Sequence, residues 1–164
     1  MNVNTKRIIF LALIIINCCT IFYFSNQVAD DSSMQSSRWV EAISKIIPFI
    51  RNMQEPDKTI LKEEILTPIV RKMAHLSLYA CLGVFTFNFM LTFEKLKKSK
   101  MITYSIFICM LYASTDEFHQ TFVAGRSGEI RDVVIDTIGA LIGITLTYLI
   151  IKLIQKIKGR KDKQ

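Results

Sequence analysis

Four stretches of the chain, each of roughly 17 or more nearly uncharged residues, have the length a helix needs to cross a bilayer, and this pattern constrains the fold more than any other feature. The spans read as about 8–24, 68–93, 101–122 and 133–154, with a polar outer segment at 25–67. Of 164 residues, 51% are apolar and 21% charged, which excludes a disordered tail and leaves room for a single domain, 1–164. The expected fold class is an all-α membrane protein: four transmembrane helices in a bundle with an outer interfacial amphipathic helix. A soluble enzyme does not fit.

The first span follows Lys6 and Arg7, a layout shared by signal peptides and anchors. No small-x-small cleavage site follows Phe24, so the segment reads as a retained anchor. Thr67 and Pro68 read as the N-cap and first residue of the second span. The N-terminus, the 94–100 loop and the tail from Lys152 together hold twelve Lys and Arg against only Glu94 and Asp162, whereas the other loops and helix ends hold nine against twelve acids. By the positive-inside rule, both termini and the 94–100 loop are expected on the cytoplasmic side of the membrane. The net charge of +7 is therefore a topology signal, and no nucleic acid partner is expected.

In the outer segment Trp39, Ile43, Ile46, Ile50 and Met53 recur at steps of three and four, on one helical face that Pro48 should bend. That face suits either the membrane interface or packing as a cover on the bundle. Arg38, Lys45 and the Lys62-Glu63-Glu64 run read as solvated surface. Cys18, Cys19, Cys81 and Cys109 all fall within spans, so no disulfide framework is expected.

Ionisable groups inside spans are costly and point to function. Counted from the cytoplasmic ends at about 1.5 Å per residue, Tyr79, Asp116 and Asp136 all reach roughly 22–24 Å into a core of about 30 Å. The next turn outward carries His75, His119, Gln120 and Asp132, and beyond it lie Arg71, Lys72, Arg126 and Arg131. A layered polar pocket opening outward is the expectation. Its basic rim, with Tyr79, Glu117, Gln120 and Asp132, would bind a phosphate or carboxylate. His119, supported by Asp116 and Asp136, and His75 with Tyr79 would perform any proton transfer. A metal is a competing use of the same side chains, but the nearby cations argue against one, so no metal or cofactor is expected. Mutual neutralisation by interhelical ion pairs is the bland alternative. Gly139 and Gly143 form a G-x-x-x-G pair that lets another helix approach closely, within the bundle or in a homo- or hetero-oligomer. Gly125 and Gly128 suit a tight outer turn.

Several strings resemble successive motifs of the VanZ-like family. They are Arg71-Lys72-Met73-Ala74-His75 with Tyr79 and Gly83, Asp116-Glu117-Phe118-His119-Gln120 with Gly125-Arg126, and Arg131-Asp132 with Gly139-Ala140-Leu141-Ile142-Gly143. Phe24-Ser25-Asn26-Gln27 resembles that family's segment after the first span. The resemblance implies a small bacterial multi-span protein of the cell envelope, whose namesake is associated with resistance to the glycopeptide antibiotic teicoplanin. Departures are Asp136 where many members carry Asn, Ala124 where Pro is common, and Leu78 near Tyr79 where many carry an acid. The functional expectation is a pocket that binds or modifies an anionic or lipid-linked envelope component. A non-catalytic binding or partner protein is the alternative, and a small proton- or cation-coupled transporter a further one.

Overall fold

The structure is a computed structural model that describes residues 2–161. It is built from α1 (Val3–Ser25), α2 (Ala29–Ile46), the short α3 (Pro48–Arg51) and α4 (Asp57–Ile60), a π-helical stretch (Leu61–Leu66), α5 (Thr67–Met90), α6 (Lys98–Gln120) and α7 (Ile130–Lys161). No strand occurs among the described residues. Asp162 and Lys163, which enter the charge arithmetic above, lie outside them.

Three helical runs are long and apolar enough to cross a membrane: Val3–Ser25, Asp57–Met90 and Ile130–Gly159. α6 matches them in length, but Lys98, Lys100, Asp116, Glu117 and His119 dilute its apolar content. Large apolar side chains face outward all around the bundle, for example Ile8, Ile15 and Ile16 on α1, Phe107 and Leu111 on α6, and Leu146 and Ile150 on α7. The buried interior is richer in small or polar residues, with Ser105, Cys109 and Ala113 spaced at four along one face of α6. Small interior residues under an apolar exterior are what lipid-facing helix packing requires.

α5 is the central helix, packed on α1, α2, α6 and α7. Its contact with α7 is backbone against backbone. A Cβ added to Gly139 would stand 2.5 Å from the Leu76 carbonyl oxygen, one on Gly143 2.0 Å from that of Ala80, and one on Gly83 2.2 Å from that of Ala140. The G-x-x-x-G stripe is thus occupied by the chain's own second span. At the end opposite the pocket, Arg7 donates from Nε to Thr92 Oγ1 at 3.2 Å and from Nη2 to Thr92 O at 3.1 Å, and its guanidinium lies 4.5 Å from the Phe93 ring centre. The basic N-terminus and the start of the basic 91–97 loop therefore share one end of the bundle.

Two local expectations are corrected. Thr67 is not an N-cap, because the helix continues back through the π stretch to Asp57; its N–H and its hydroxyl both donate to Lys62 O, five residues earlier. Pro68 lacks an N–H and crowds the preceding turn, and the wider π turns just before it relieve that conflict. Pro48 does not bend the outer helix but ends it. Ile47 before it is extended (ψ 110°), as a residue preceding proline prefers, so Ile50 and Met53 are not on the same helix as Trp39. α2 packs its Ser32, Ser36, Val40 and Ser44 face inward and leaves Trp39, Ile43 and Ile46 exposed. Lys62 is not free surface either: its Nζ lies 2.5 Å from Glu41 Oε2, tying the π stretch to α2.

Candidate functional site

The N-terminal ends of α5 and α7 and the C-terminal end of α6 surround a cavity of about 290 Å³, closed on one side by the 121–129 loop. Each helix contributes through its own periodicity. α5 supplies Pro68, Arg71, Lys72 and His75 at steps of three and four, α6 supplies Glu117 and Gln120, and α7 supplies Asp132, Ile135 and Asp136. Gly125, Arg126, Ser127, Glu129 and Arg131 complete the wall. The loop turns because Gly125 adopts φ +74°, and it closes tightly because Gly128 lies where a Cβ would meet Glu117 O at 2.4 Å. Ala29 N–H donates to Ala124 O at 3.4 Å, docking the start of α2 on the same loop.

Charges in the wall fall into a paired and an unpaired set. Lys72 Nζ bonds Asp132 Oδ1, and Arg131 Nη2 bonds Glu129 Oε2 at 2.8 Å. Arg71 and Arg126 have no carboxylate partner among the described residues. Arg126 donates from Nη1 to Gln120 Oε1 and from Nη2 to Phe24 O, both at 3.1 Å, while its Nε is buried with no partner. Burial, and then the positive charge of Arg71, hold the Arg126 guanidinium below its usual range. Two guanidinium groups lining one cavity, neither in contact with a carboxylate although Glu117 and Asp136 share the wall, can together grip an anion.

One layer deeper, Asp116 and Asp136 are 4% and 2% exposed. Asp116 Oδ2 accepts from Ser25 Oγ at 2.8 Å and from Gln120 Nε2 at 3.3 Å, and the same amide nitrogen donates to Glu117 Oε1 at 3.1 Å. Glu117 Oε2 in turn accepts from Glu129 N–H at 3.1 Å, fixing the loop to α6. Tyr79 is wholly buried, its ring centre 6.2 Å from that of Tyr112.

The structure therefore gathers nine of the twelve expected site residues around the cavity: Arg71, Lys72, His75, Glu117, Gln120, Arg126, Arg131, Asp132 and Asp136. Asp116 and Tyr79 lie behind its wall. His119 is turned away toward α1; its Nε2 lies 3.3 Å from Asn26 Oδ1 and its ring 4.7 Å from that of Phe22. It makes no hydrogen bond to Asp116 or Asp136 among the described residues, so the expected carboxylate support for His119 is not what the structure places there. Sequence reasoning missed the wall residues Pro68, Ser127, Glu129 and Ile135, and behind the wall Ser25, although Ser25 sits in the quoted Phe24-Ser25-Asn26-Gln27 string.

The VanZ/LLP1 family model matches residues 10–152, nearly the whole chain and every element of the site. The chain belongs to the VanZ/LLP1 family. Comparisons with curated proteins and with solved structures give no match. The family match begins within α1 and ends within α7, so the loop-closed cavity is a feature of the VanZ/LLP1 portion itself and not of an appended segment.

Proposed function

We propose that this VanZ/LLP1 protein crosses the bacterial cytoplasmic membrane four times, with both termini inside. Its cavity then opens at the outer leaflet and binds the phosphate or carboxylate headgroup of a lipid or lipid-linked envelope precursor. The observation that carries the reading is the Arg71 and Arg126 pair, lining the cavity without a carboxylate partner. α6 as a fourth span is supported by its apolar outer face of Tyr104, Phe107, Ile108 and Leu111. Its polar groups, by contrast, are turned to the bundle or gathered at its two ends. The orientation is supported by the shared position of Arg7 and the 91–97 loop, together with the positive-inside rule. α2, with Trp39 and Ile46 outward, lies in the outer interface. Glycopeptide tolerance, the phenotype of the family's namesake, is the physiological readout.

Whether the bound component is also modified depends on His75, the one histidine at the cavity. Protein in nanodiscs would be incubated with a polyprenyl phosphate, phosphatidylglycerol or phosphatidylcholine, and retained and altered lipid read by mass spectrometry. Selective retention of an anionic lipid, at least tenfold weaker in Arg71→Gln/Arg126→Gln, is the expected result. A lipid mass changed by wild type but not by His75→Gln would establish an enzyme. Equal retention of phosphatidylcholine, or full retention by the double variant, would overturn the anion reading.

A further inference from the structure

Beneath the arginines, three helices bring together a set of metal-ligating side chains that the anion reading does not use. One ligand atom each from His75 on α5, Asp116 on α6 and Asp136 on α7 lies within 4.8 Å of the other two. Both aspartates are more than nine-tenths buried. Asp116 Oδ1 and the buried Tyr79 hydroxyl that faces it both lack a hydrogen bond within 3.5 Å, and neither His75 nor Asp136 makes any hydrogen bond or ion pair among the described residues. Two adjacent buried carboxylates repel each other unless one is protonated or a cation stands between them. None of the cations that the sequence suggests for this task bonds Asp116 or Asp136: Arg71 lines the cavity without a carboxylate partner, and the others are engaged one layer out. Lys72 is held by Asp132, Arg131 by Glu129, and Arg126 by Gln120 and Phe24 O.

We infer that His75, Asp116 and Asp136 bind a divalent transition-metal cation of the zinc and manganese class. Three points no more than 4.8 Å apart leave a central ion at most about 2.8 Å from each, so shifts under about 1 Å close to the usual 2.0–2.2 Å. One imidazole nitrogen with two carboxylate oxygens suits zinc or manganese. Calcium and magnesium prefer all-oxygen sets, and copper(I) prefers sulfur. Ser25 and Gln120 hold Asp116 from behind, as outer partners of ligating carboxylates do. His75 and Asp136 also line the cavity, so the remaining coordination position faces it, the arrangement of a reactive rather than a closed structural site. The inference does not rest on the anion reading, although an ion there would face any headgroup held by Arg71 and Arg126.

The test uses the full chain with a tag free of histidine, purified in detergent without added metal. Metal content is read by mass spectrometry, melting temperature with Zn²⁺, Mn²⁺ or a chelator, and the visible spectrum after Co²⁺ loading. Expected are about one ion per chain, a melting temperature raised by Zn²⁺ or Mn²⁺ and lowered by chelator, and a cobalt band. His75→Gln and Asp136→Asn should lose all three, while His119→Ala, whose ring lies outside the cluster, keeps them. Arg71→Gln/Arg126→Gln should keep the metal while losing the anion, which separates the two readings. A metal-free wild type whose melting ignores both ions would overturn the inference. So would Asp136→Asn or His75→Gln binding metal as wild type does.

Discussion

Replacing Gly143 by alanine tests whether the α5–α7 crossing sets the geometry of the site. The added Cβ would stand 2.0 Å from the Ala80 carbonyl oxygen, about 1.4 Å inside ordinary contact, and 2.8 Å from the carbonyl carbon. Both obstacles are backbone, so no rotamer change relieves them and the two helices must part. Overpacking of this kind costs about 1–3 kcal/mol, and a rigid obstacle puts the cost at the upper end. At about 2–4 °C per kcal/mol for a chain of this size, melting should fall by roughly 6–12 °C. Gly83→Ala, with a 2.2 Å approach, should follow closely, and Gly139→Ala, at 2.5 Å, should be mildest. Gly159, with nothing within 4 Å of its added Cβ, is the control; alanine there should be neutral or gain up to about 1 kcal/mol from helix propensity. Because Asp136 lies seven residues before Gly143, about 10 Å along α7, the parting should also draw it away from His75 and weaken binding at the site. Thermal unfolding in one detergent, followed by circular dichroism, ranks the four variants. A Gly143→Ala protein melting with wild type, or Gly159→Ala as damaging as Gly143→Ala, would refute the backbone-contact argument.

Ser25→Ala removes the 2.8 Å hydroxyl bond to Asp116 Oδ2 in a fully buried place, so a loss of about 1–3 kcal/mol is expected in the same melts. Trp39, the chain's one tryptophan, is 67% exposed on the outer face of α2, so in lipid its fluorescence should be blue-shifted and quenched by headgroup-level nitroxide lipids. Emission like that of water-exposed indole, unmoved by the quencher, would place α2 clear of the membrane.

Much of this arrangement is legible in the residues because two of its causes are local. Apolar length marks α1, α5 and α7, and counting 1.5 Å per residue along α6 and α7 puts Asp116 and Asp136 at one depth, where the structure brings them together with His75. What fails is angular. From Asp116, a step of four turns Gln120 by about 40° and a step of three turns His119 by about 60° the other way, so spacing alone treats as equivalent two residues that face different neighbours. Gln120 meets Asp116 and Arg126, whereas His119 meets α1. The extension of α5 back to Asp57 is also hidden, since Thr-Pro is a good helix start and only the π stretch lets the helix run through it. Ser25 is missed because a serine at a span's end reads equally well as a boundary.

Mutual neutralisation, the plainest account of so many charges, holds for only part of the cluster. Lys72 with Asp132 and Arg131 with Glu129 are paired as that account requires. Arg126 and Asp116 are separated by Gln120 alone, whose amide oxygen accepts from the guanidinium while its nitrogen donates to Asp116 and Glu117. An amide in that position keeps opposite charges from pairing directly, so cations remain free on the outer side and carboxylates on the inner one. For stability alone the arrangement is wasteful, since a direct pair or an apolar substitute would remove buried unsatisfied groups such as Arg126 Nε and Asp116 Oδ1. It is what a site needs if an anion is to be met from one layer and a metal ion held by the next, with the two close enough to act on the same ligand.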